Sequence, residues 1–187
     1  MHLIKVRVPY MNSNDDSNIQ EVLIVNIHLR PPLNDDGSAT LWTAYVTNKY
    51  RLSEVQYLMS HFVKSGSVNV ISSEENKYDV KMPIIMLGDY NEHDDDPALQ
   101  HLTKTCCDEN NFTIFRDALK EHVDSKRETH RWPLKFLGGY ITYWSYKRLD
   151  HCVYSVKYLD CTGCKVIDGY EDNASDHQPC LSNFKFK

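Results

Sequence analysis

Apolar residues recur along the chain at spacings that predict strands in most places and a long helix in one. Leu3 to Val8 alternates apolar and polar residues, which predicts a strand. Glu21 to His28 and Pro83 to Leu87 are nearly continuous apolar runs, which are typical of strands buried on both faces. Thr43 to Val63 is predicted to be a helix because its apolar residues have helical spacing, at Val55, Leu58, Met59 and Phe62.

The rest of the chain predicts short strands and one short helix. Asp94 to Asp96 offers N-cap residues for a helix that continues through Ala98, Leu99 and Leu102. Ser65 to Lys81 is mostly polar and is predicted to be a loop. A short ordered stretch is predicted at Phe112 to Leu119, and further strands at Ile141 to Trp144, Leu149 to Ser155, Cys164 to Ile167 and Pro179 to Phe186.

These elements indicate the fold class and the domain organisation. Strands outnumber helices and the strongest strands have no polar face, so we expect an α+β or layered α/β fold with sheet packed on sheet and helices outside. The 187 residues are predicted to form a single domain, 1–187.

Composition and charge narrow the function. Hydrophobic residues make up 41% and charged residues 25%, which is typical of a globular protein. The net charge of −5 argues against extensive nucleic-acid coating, but a local site can still take a phosphoester. We find neither a signal peptide nor an apolar run long enough to cross a bilayer, so we expect an intracellular protein, cytoplasmic or nuclear.

The six cysteines raise a redox or zinc function as an alternative. Cys161 and Cys164 form a C-x-x-C pair, but no second pair lies at zinc-finger spacing and no thioredoxin-like βαβ pattern surrounds them. Reduced thiols of an intracellular protein are the interpretation that we favour for the whole set: Cys106, Cys107, Cys152, Cys161, Cys164 and Cys180.

Two polar clusters stand beside predicted strands, where binding and catalytic side chains are usually found. Gly88-Asp89-Tyr90-Asn91 places Asp89 and Asn91 on one face of the extended chain, and a carboxylate with an amide suits a hard cation or a phosphate oxygen. Ser175-Asp176-His177-Gln178-Pro179 offers an adjacent metal ligand and general base, Asp176 and His177. Taken singly, an Asx turn and a polar loop remain alternatives.

Two further segments carry ionisable residues at strand ends. In Arg148-Leu149-Asp150-His151, an inward-facing Asp150 can hold another histidine ring in one tautomer, although a surface Arg148–Asp150 pair is the simpler interpretation. His28 ends an apolar strand, where a lone histidine is usually only a polar terminus.

The order and spacing of these four segments resemble the endonuclease/exonuclease/phosphatase superfamily from about Glu21 to the C-terminus. The first cluster resembles its G-D-[aromatic or Leu]-N motif and the second its S-D-H-x-P motif. Arg148-Leu149-Asp150-His151 resembles R-[IL]-D-[YH], with Thr142 at the upstream threonine position. Val25 to Leu29 resembles the N-T-H-L strand with Ile27 in place of the usual threonine, and Arg51 also fits the pattern.

The resemblance implies a four-layer αββα sandwich, the fold of deoxyribonuclease, with the site at one end. It also implies metal-dependent hydrolysis of a phosphoester bond, in which His177 activates water, Asp150 orients His177, and Asp176 binds Mg²⁺ or Mn²⁺. Such a reaction depends on positioning and on neutralising charge that develops on the phosphoryl group.

The remaining roles implied by the resemblance concern the substrate. Asp89 positions the nucleophile or the leaving group, and Asn91 and His28 donate hydrogen bonds to phosphoryl oxygens. Three residues are implied to bind the substrate: Arg51, Thr142 and Arg148.

The chain departs from the family pattern near its N-terminus. The family carries an Asn and a metal-binding Glu upstream of the N-T-H-L strand, whereas only Met1 to Gln20 precede it here and Glu21 does not match. We therefore expect a fold incomplete at its N-terminus, weak metal affinity, and self-association through an open sheet edge. Asp94-Asp95-Asp96, with Glu92 and His93, offers a replacement metal site, but helix capping explains this cluster adequately.

Two functions of different classes remain. We favour a phosphodiesterase, nuclease or phosphatase, because no recognisable site residue from Glu21 onward is replaced; the alternative is a non-catalytic binding module lacking the metal-binding Glu. The expected substrate is a nucleic acid, a nucleotide, an inositol phosphate or a phospholipid headgroup. Lys126 to Tyr140 is basic and aromatic, so it can grip a phosphate and stack a base, approach a membrane, or form an ordinary surface loop.

Overall fold

Strands dominate the structure, as the sequence predicts. A computed structural model of the protein describes residues 2–9, 19–33, 41–123, 127–136, 141–168 and 175–187. The helices in these ranges are α1 (Leu41–Lys64), α2 (Pro97–Gln100) and α3 (Ala118–His122). The strands are β1 (His2–Pro9), β2 (Ile19–His28), β3 (Val68–Ser72), β4 (Lys77–Val80), β5 (Ile84–Asp89), β6 (Phe115–Asp117), β7 (His130–Phe136), β8 (Ile141–Lys147), β9 (Asp150–Ser155), β10 (Leu159–Val166) and β11 (Cys180–Phe186).

Five strands form a central mixed sheet in the order β1-β2-β5-β9-β6. β2 and β5 are parallel, and the other neighbours are antiparallel. A parallel pair needs a long crossover connection, which here contains α1 and the β3–β4 hairpin. The pairs β3–β4, β7–β8 and β10–β11 form separate two-stranded sheets.

The first hydrophobic core lies between one face of the central sheet and the helices α1 and α2. The helix prediction is confirmed, because α1 buries the predicted face of Val55, Leu58, Met59 and Phe62, each at most 2% exposed. The short helix through Ala98 and Leu99 is also confirmed, and it continues as a π-helical turn at His101–Thr105.

The second core lies on the opposite face of the central sheet. Because side chains alternate along a strand, Val153 of β9 joins the first core while Cys152 and Tyr154 join the second. The β10–β11 hairpin and α3 cover this face, with Phe184 and Phe186 partly buried. The result is an α+β sandwich, as predicted.

Several local predictions differ from the structure. The predicted loop Ser65 to Lys81 contains the β3–β4 hairpin, which is anchored by buried Val68 and Val80. The prediction that β2 and β5 are buried on both faces is correct only in part, because Ile24 and Ile85 are half-buried and Leu87 is exposed. Because side chains alternate along a strand, these three lie on the face of the central sheet that carries the second core.

Two further observations concern partners. Among the helices that the structure describes, none is both long and apolar enough to cross a membrane. β1 lies at one edge of the central sheet, with Leu3 and Ile4 exposed. Self-association through this edge stays a prediction.

Candidate active site

Three neighbouring strands bring His28, Asp89 and Asp150 side by side. His28 pairs with Asp89 in the register between β2 and β5, and Asp89 pairs with Asp150 in the register between β5 and β9. The parallel strands β2 and β5 end at this edge of the sheet, while antiparallel β9 begins there. Strand pairing therefore assembles an imidazole and two carboxylates from distant parts of the chain.

Gly88 permits the close approach of β5 to β2 immediately before Asp89. Its φ is +135°, and a Cβ atom at this position would lie 2.0 Å from the carbonyl oxygen of Ile27. Gly88 does not turn the chain away from the strand, because β5 continues through Asp89. The glycine is instead required by backbone contact, which keeps Asp89 in register with His28.

Asn91 holds the carboxylate of Asp89. Its backbone N–H donates to Oδ1 of Asp89 at 2.8 Å, and its Nδ2 donates to Oδ2 at 3.0 Å and to the carbonyl oxygen of Leu29 at 3.0 Å. Asn91 has a φ of +50°, a left-handed conformation that asparagine tolerates better than most residues. Burial raises the pKa of Asp89, and the charge of Asp150 adds to this effect against the opposing hydrogen bond from Asn91.

Tyr90 anchors the segment between Asp89 and Asn91 in the first core. Its ring is fully buried and meets the ring of His151 edge-on, with 5.5 Å between centroids. His151 places Nδ1 2.7 Å from Oδ2 of Asp117 and Nε2 2.9 Å from the carbonyl oxygen of Glu92. Burial alone would lower the pKa of His151, but the hydrogen bond and charge of Asp117 outweigh it and raise the pKa. This network fixes the loop that follows Asp89.

His177 reaches the same edge from a separate segment. Its Nδ1 lies 2.8 Å from Oδ2 of Asp150, and its Nε2 lies 3.9 Å from Oδ2 of Asp89. The Nε2 of His28 lies 3.8 Å from that same oxygen. The hydrogen bond with Asp150 raises the pKa of His177, although burial opposes it. The predicted His177–Asp150 pairing is present, and the His177 side chain is 31% exposed, so water can reach it.

Thr129 ties these segments together, and the sequence reasoning missed it. The buried Oγ1 of Thr129 accepts hydrogen bonds from the backbone N–H groups of Leu149 and Asp150, at 3.1 and 3.0 Å. The carbonyl oxygen of Thr129 accepts a 2.7 Å hydrogen bond from the N–H of Gln178. One residue thus positions the backbones on both sides of the Asp150–His177 pair.

His130 is a second site residue that the sequence reasoning missed. Its largely buried ring lies 4.4 Å from that of His177, and its Nε2 lies 3.4 Å from Oδ2 of Asp176, whose side chain is 62% exposed. Burial lowers the pKa of His130, and so does the charge of His177. The alternating run His130–Phe136 is β7, but its basic and aromatic composition and Pro133 obscured the strand.

Two predicted substrate-binding arginines point into the protein. Arg51 is buried, with Nε 3.0 Å from Oε1 of Glu92. Arg148 is also buried, and its Nη1 lies 3.4 Å from Oδ2 of Asp94. Both guanidinium groups thus pair with acidic side chains inside the protein, and the contact of Arg51 and Arg148 with a substrate stays a prediction. The third predicted substrate-binding residue, Thr142, lies in β8, and its side chain falls outside what the structure describes.

The acidic run Asp94 to Asp96 has a structural explanation that differs from the predicted capping. Asp96 makes no side-chain cap to α2 and instead accepts from the N–H of His93. The buried carboxylate of Glu92 caps α2, accepting from the N–H groups of Ala98 and Leu99 at 2.8 and 3.0 Å. Helix capping is therefore present, but Glu92 provides it.

All six cysteines have free thiols in the structure. Burial raises the pKa of Cys161 and of Cys164, the two members of the C-x-x-C pair. Sγ of Cys164 lies 3.1 Å from Oγ of Ser182. A raised thiol pKa leaves little thiolate for redox chemistry near neutral pH.

Comparison with known proteins identifies the fold. No protein-family model matches the chain, and no curated protein matches it. Among solved structures, the human Nocturnin catalytic domain with bound sulfate matches at a TM-score of 0.50 and 14% identity, over 100% of this chain and 59% of that one. D. rerio TDP2 complexed with a single-strand DNA product matches at 0.51 and 15%, over 98% and 61%.

A third match is the mannosyl-6-phosphatase of Bacteroides thetaiotaomicron VPI-5482, with a TM-score of 0.50, 12% identity, and coverage of 90% of this chain and 52% of that one. The chain has an endonuclease/exonuclease/phosphatase-like fold. It spans between 52% and 61% of the length of these three chains. The predicted fold is therefore confirmed by structures that share little sequence with it.

In this endonuclease/exonuclease/phosphatase-like fold, the assembled edge has the groups needed for acid–base chemistry. It offers an oriented imidazole at His177, a carboxylate of raised pKa at Asp89 and a solvent-facing imidazole at His28. Groups whose pKa values are shifted by burial and by charged partners are typical of catalytic sites.

The donor set also fits a hard divalent cation at Asp176. The carboxylate of Asp176 is mostly exposed beside His177. Mg²⁺ keeps several water ligands and commonly takes one or two carboxylates from the protein. One solvent-facing carboxylate satisfies that requirement but supplies little charge, so weak binding is expected.

Proposed function

We propose that this protein hydrolyses phosphoester bonds with His177 as the general base. The observation that carries the proposal is the 2.8 Å contact between Nδ1 of His177 and Oδ2 of Asp150. The Asp150 carboxylate accepts a hydrogen bond from Nδ1–H, so a neutral His177 presents the lone pair of Nε2. That atom lies on the side of Asp89 and can accept a proton from water.

Asp89 lies at the centre of the proposed site. Its Oδ2 is 3.8 Å from Nε2 of His28 and 3.9 Å from Nε2 of His177, so it can orient a water molecule or a leaving group between the two rings. His28 is largely exposed and can donate to a phosphoryl oxygen. Both Nδ2 hydrogens of Asn91 already have protein acceptors, so we assign Asn91 to positioning Asp89; direct contact with phosphate stays a prediction.

Asp176 would hold Mg²⁺ or Mn²⁺ next to His177. When bound, such an ion would offset negative charge developing on the phosphoryl group. The residues of the chain perform the remaining tasks: His177 takes the proton, Asp150 stabilises the imidazolium that forms, and Asp89 aligns the reacting atoms. Arg51 and Arg148 support the site from inside the protein rather than at the substrate.

The substrate class is proposed from the structural neighbours, which share the fold with this chain. The Nocturnin structure contains a bound sulfate, the TDP2 structure a single-strand DNA product, and the third neighbour is named a mannosyl-6-phosphatase. All three descriptions involve a tetrahedral oxyanion or its ester. We therefore propose a phosphomonoester or phosphodiester substrate, with nucleic acids, nucleotides, inositol phosphates and phospholipid headgroups as the compounds to test.

The proposal is tested by turnover with and without a metal ion. Hydrolysis of bis(4-nitrophenyl) phosphate and 4-nitrophenyl phosphate would be measured with Mg²⁺, with Mn²⁺ and with EDTA. Hydrolysis of the four proposed substrate classes would then be measured under the same conditions. We expect turnover that EDTA abolishes and Mg²⁺ or Mn²⁺ restores. Turnover unaffected by EDTA would contradict metal dependence, and inertness toward every substrate would favour the binding-module alternative.

A further inference from the structure

We propose that His130, Asp176 and His177 form a binding site for Zn²⁺, and that Zn²⁺ bound there inhibits the protein. One ligand atom from each of the three residues lies within 4.8 Å of the other two. Ligand atoms in a tetrahedral zinc site with bonds of about 2.0–2.1 Å lie roughly 3.3 Å apart. Small side-chain rotations would therefore close the three residues around one ion.

The backbone already holds the three ligands together. His130 and His177 form an antiparallel bridge between β7 and the segment that precedes β11. On either side of this bridge, the N–H of Arg131 donates to the carbonyl oxygen of Asp176 at 3.1 Å, and the N–H of Gln178 donates to that of Thr129 at 2.7 Å. The cost of assembling the ligands is thus largely met in folding, which favours metal affinity.

His177 is oriented as metal-binding histidines usually are. Its Nδ1 faces the carboxylate of Asp150 at 2.8 Å, which directs the lone pair to Nε2. A carboxylate behind the imidazole fixes the tautomer and raises the basicity of the ligating nitrogen. The feature that makes His177 suitable as a general base therefore also makes it suitable as a zinc ligand.

The donor chemistry selects the type of ion. Two imidazoles and one carboxylate suit Zn²⁺ and its first-row neighbours, whereas Mg²⁺ prefers oxygen donors and retained water. The two side chains nearest the solvent, Asp176 and His177, are 62% and 31% exposed, which gives an ion a path to the site. The fourth position of a tetrahedral ion would remain open to water.

A second group of potential ligands in the described structure does not offer the same opportunity. Asp94, Asp117 and His151 also place ligand atoms within 4.8 Å of one another. Both ring nitrogens of His151 are already engaged, Nδ1 with Asp117 and Nε2 with the carbonyl oxygen of Glu92. Zinc binding there would require breaking a buried network, so we assign the ion to the first group.

The inhibitory effect rests on the proposed function, while zinc binding itself does not. An ion bound at Nε2 of His177 occupies the lone pair that would accept the proton from water. Zn²⁺ would also compete for Asp176, the carboxylate proposed to hold Mg²⁺. Zn²⁺ should therefore inhibit Mg²⁺-supported turnover at low concentration, and raising Mg²⁺ should relieve the inhibition only in part.

Zn²⁺ affinity can be measured directly by isothermal titration calorimetry on the full chain. All proteins would carry Cys161→Ser, so that the C-x-x-C pair cannot compete for zinc. The variants are His130→Ala and Asp176→Asn, and the matched control is His61→Ala near the C-terminal end of α1. Asp176 is mostly exposed, so Asp176→Asn tests the site even if loss of buried His130 impairs folding.

We expect one Zn²⁺ per chain in the Cys161→Ser protein and in the His61→Ala control. The His130→Ala and Asp176→Asn variants should bind Zn²⁺ more than about tenfold more weakly, because even loss of a group that only orients a metal ligand costs about 10- to 100-fold in metal affinity. Unchanged affinity in both variants, or the absence of binding in the Cys161→Ser protein, would overturn the site.

The activity assay separates the site from the proposed function. Zn²⁺ should inhibit Mg²⁺-supported turnover with a midpoint close to the dissociation constant measured by calorimetry. Zinc binding at this site in a protein without turnover would refute the proposed function and leave the site standing. Full turnover with the site saturated by Zn²⁺ would overturn the inhibition.

Discussion

Nδ1 of His177 lies 2.8 Å from Oδ2 of Asp150, although 26 residues lie between them in the chain. Asp150 starts β9 inside the central sheet, and His177 is held to β7 by backbone hydrogen bonds. Because backbone hydrogen bonds fix the position of both residues, the two side chains are held within hydrogen-bond distance of each other. This arrangement underlies the assignment of His177 as a base.

Replacing Asp150 should change the pH dependence of activity in a defined direction. The Asp150 carboxylate raises the pKa of His177, so Asp150→Asn should lower that pKa. A base must be unprotonated to act, so the acidic limb of kcat/KM should move to lower pH. The plateau should fall by roughly 10²- to 10⁴-fold, since the orienting carboxylate also stabilises the imidazolium.

The pH profile of kcat/KM for an aryl phosphodiester, recorded with saturating Mg²⁺, measures both effects. Asp160→Asn on β10, where Asp160 faces Lys185 and Lys187, removes a carboxylate of similar charge away from the site and is the matched control. An acidic limb at the same pH in Asp150→Asn and in the unmodified protein would contradict the assignment of His177 as the base.

Asp89→Asn should increase the stability of the fold and decrease turnover. Burial raises the pKa of Asp89 above its value in the unfolded chain, so the folded state binds this proton more tightly. The folded state therefore loses stability as the pH rises from the unfolded pKa through the folded pKa. Near neutral pH the charged carboxylate is therefore destabilising. We expect Asp89→Asn to raise Tm at about pH 7, with a smaller gain at about pH 4, while turnover falls by more than about 100-fold.

The matched control for this experiment has a shift of opposite sign. Lys157 and Lys81 lower the pKa of Asp79, so Asp79→Asn should lower Tm slightly at neutral pH and leave turnover unchanged. Differential scanning fluorimetry across pH gives both results. A lower Tm for Asp89→Asn at neutral pH with retained turnover would contradict the account of Asp89.

Gly88→Ala should destabilise the fold strongly. The added Cβ would lie 2.0 Å from the carbonyl oxygen of Ile27, and φ of +135° is unfavourable for alanine. The expected loss is more than about 3 kcal/mol in the free energy of unfolding. Gly66→Ala is the control, because Gly66 has a positive φ of +75° but nothing within 4 Å, and it should cost only about 1 kcal/mol. Equal losses in urea unfolding would show that contact with β2 does not matter.

Arg51 should prove to be structural. Arg51→Leu leaves Glu92 buried without its partner and should cost about 3–5 kcal/mol in unfolding free energy. Arg51→Leu with Glu92→Gln should recover part of this loss, because glutamine is neutral and still offers an oxygen to cap α2. KM measured on folded protein should not change. A raised KM with unchanged stability would instead favour the substrate contact that the sequence suggested.

The sequence predicted the candidate site best where ionisable residues lie at strand positions that pair with one another. The four motif segments contain His28, Asp89, Asp150 and His177, and strand pairing brings these residues together. The fold class and the face of α1 followed from periodicity, because burial of an apolar face is a local property of the sequence.

Other features depend on contacts between distant segments, which a single sequence does not reveal. Thr129 and His130 lie in a run whose basic and aromatic residues suggested a loop, and only its pairing with β8 and with the His177 segment gives them a role. Arg51 and Arg148 match a family pattern, but their burial depends on Glu92 and Asp94 elsewhere in the chain. The β3–β4 hairpin was missed because only two of its residues are fully buried, Val68 in β3 and Val80 in β4.

The most direct test of the central claim is the kcat/KM of His177→Ala for bis(4-nitrophenyl) phosphate. It would be measured with saturating Mg²⁺ or Mn²⁺, beside the unmodified protein and the His61→Ala control. Loss of a general base is expected to lower kcat/KM by at least about 100-fold while Tm and the His61→Ala control stay unchanged. Retention of full metal-dependent activity by His177→Ala would contradict the claim that His177 activates the attacking water.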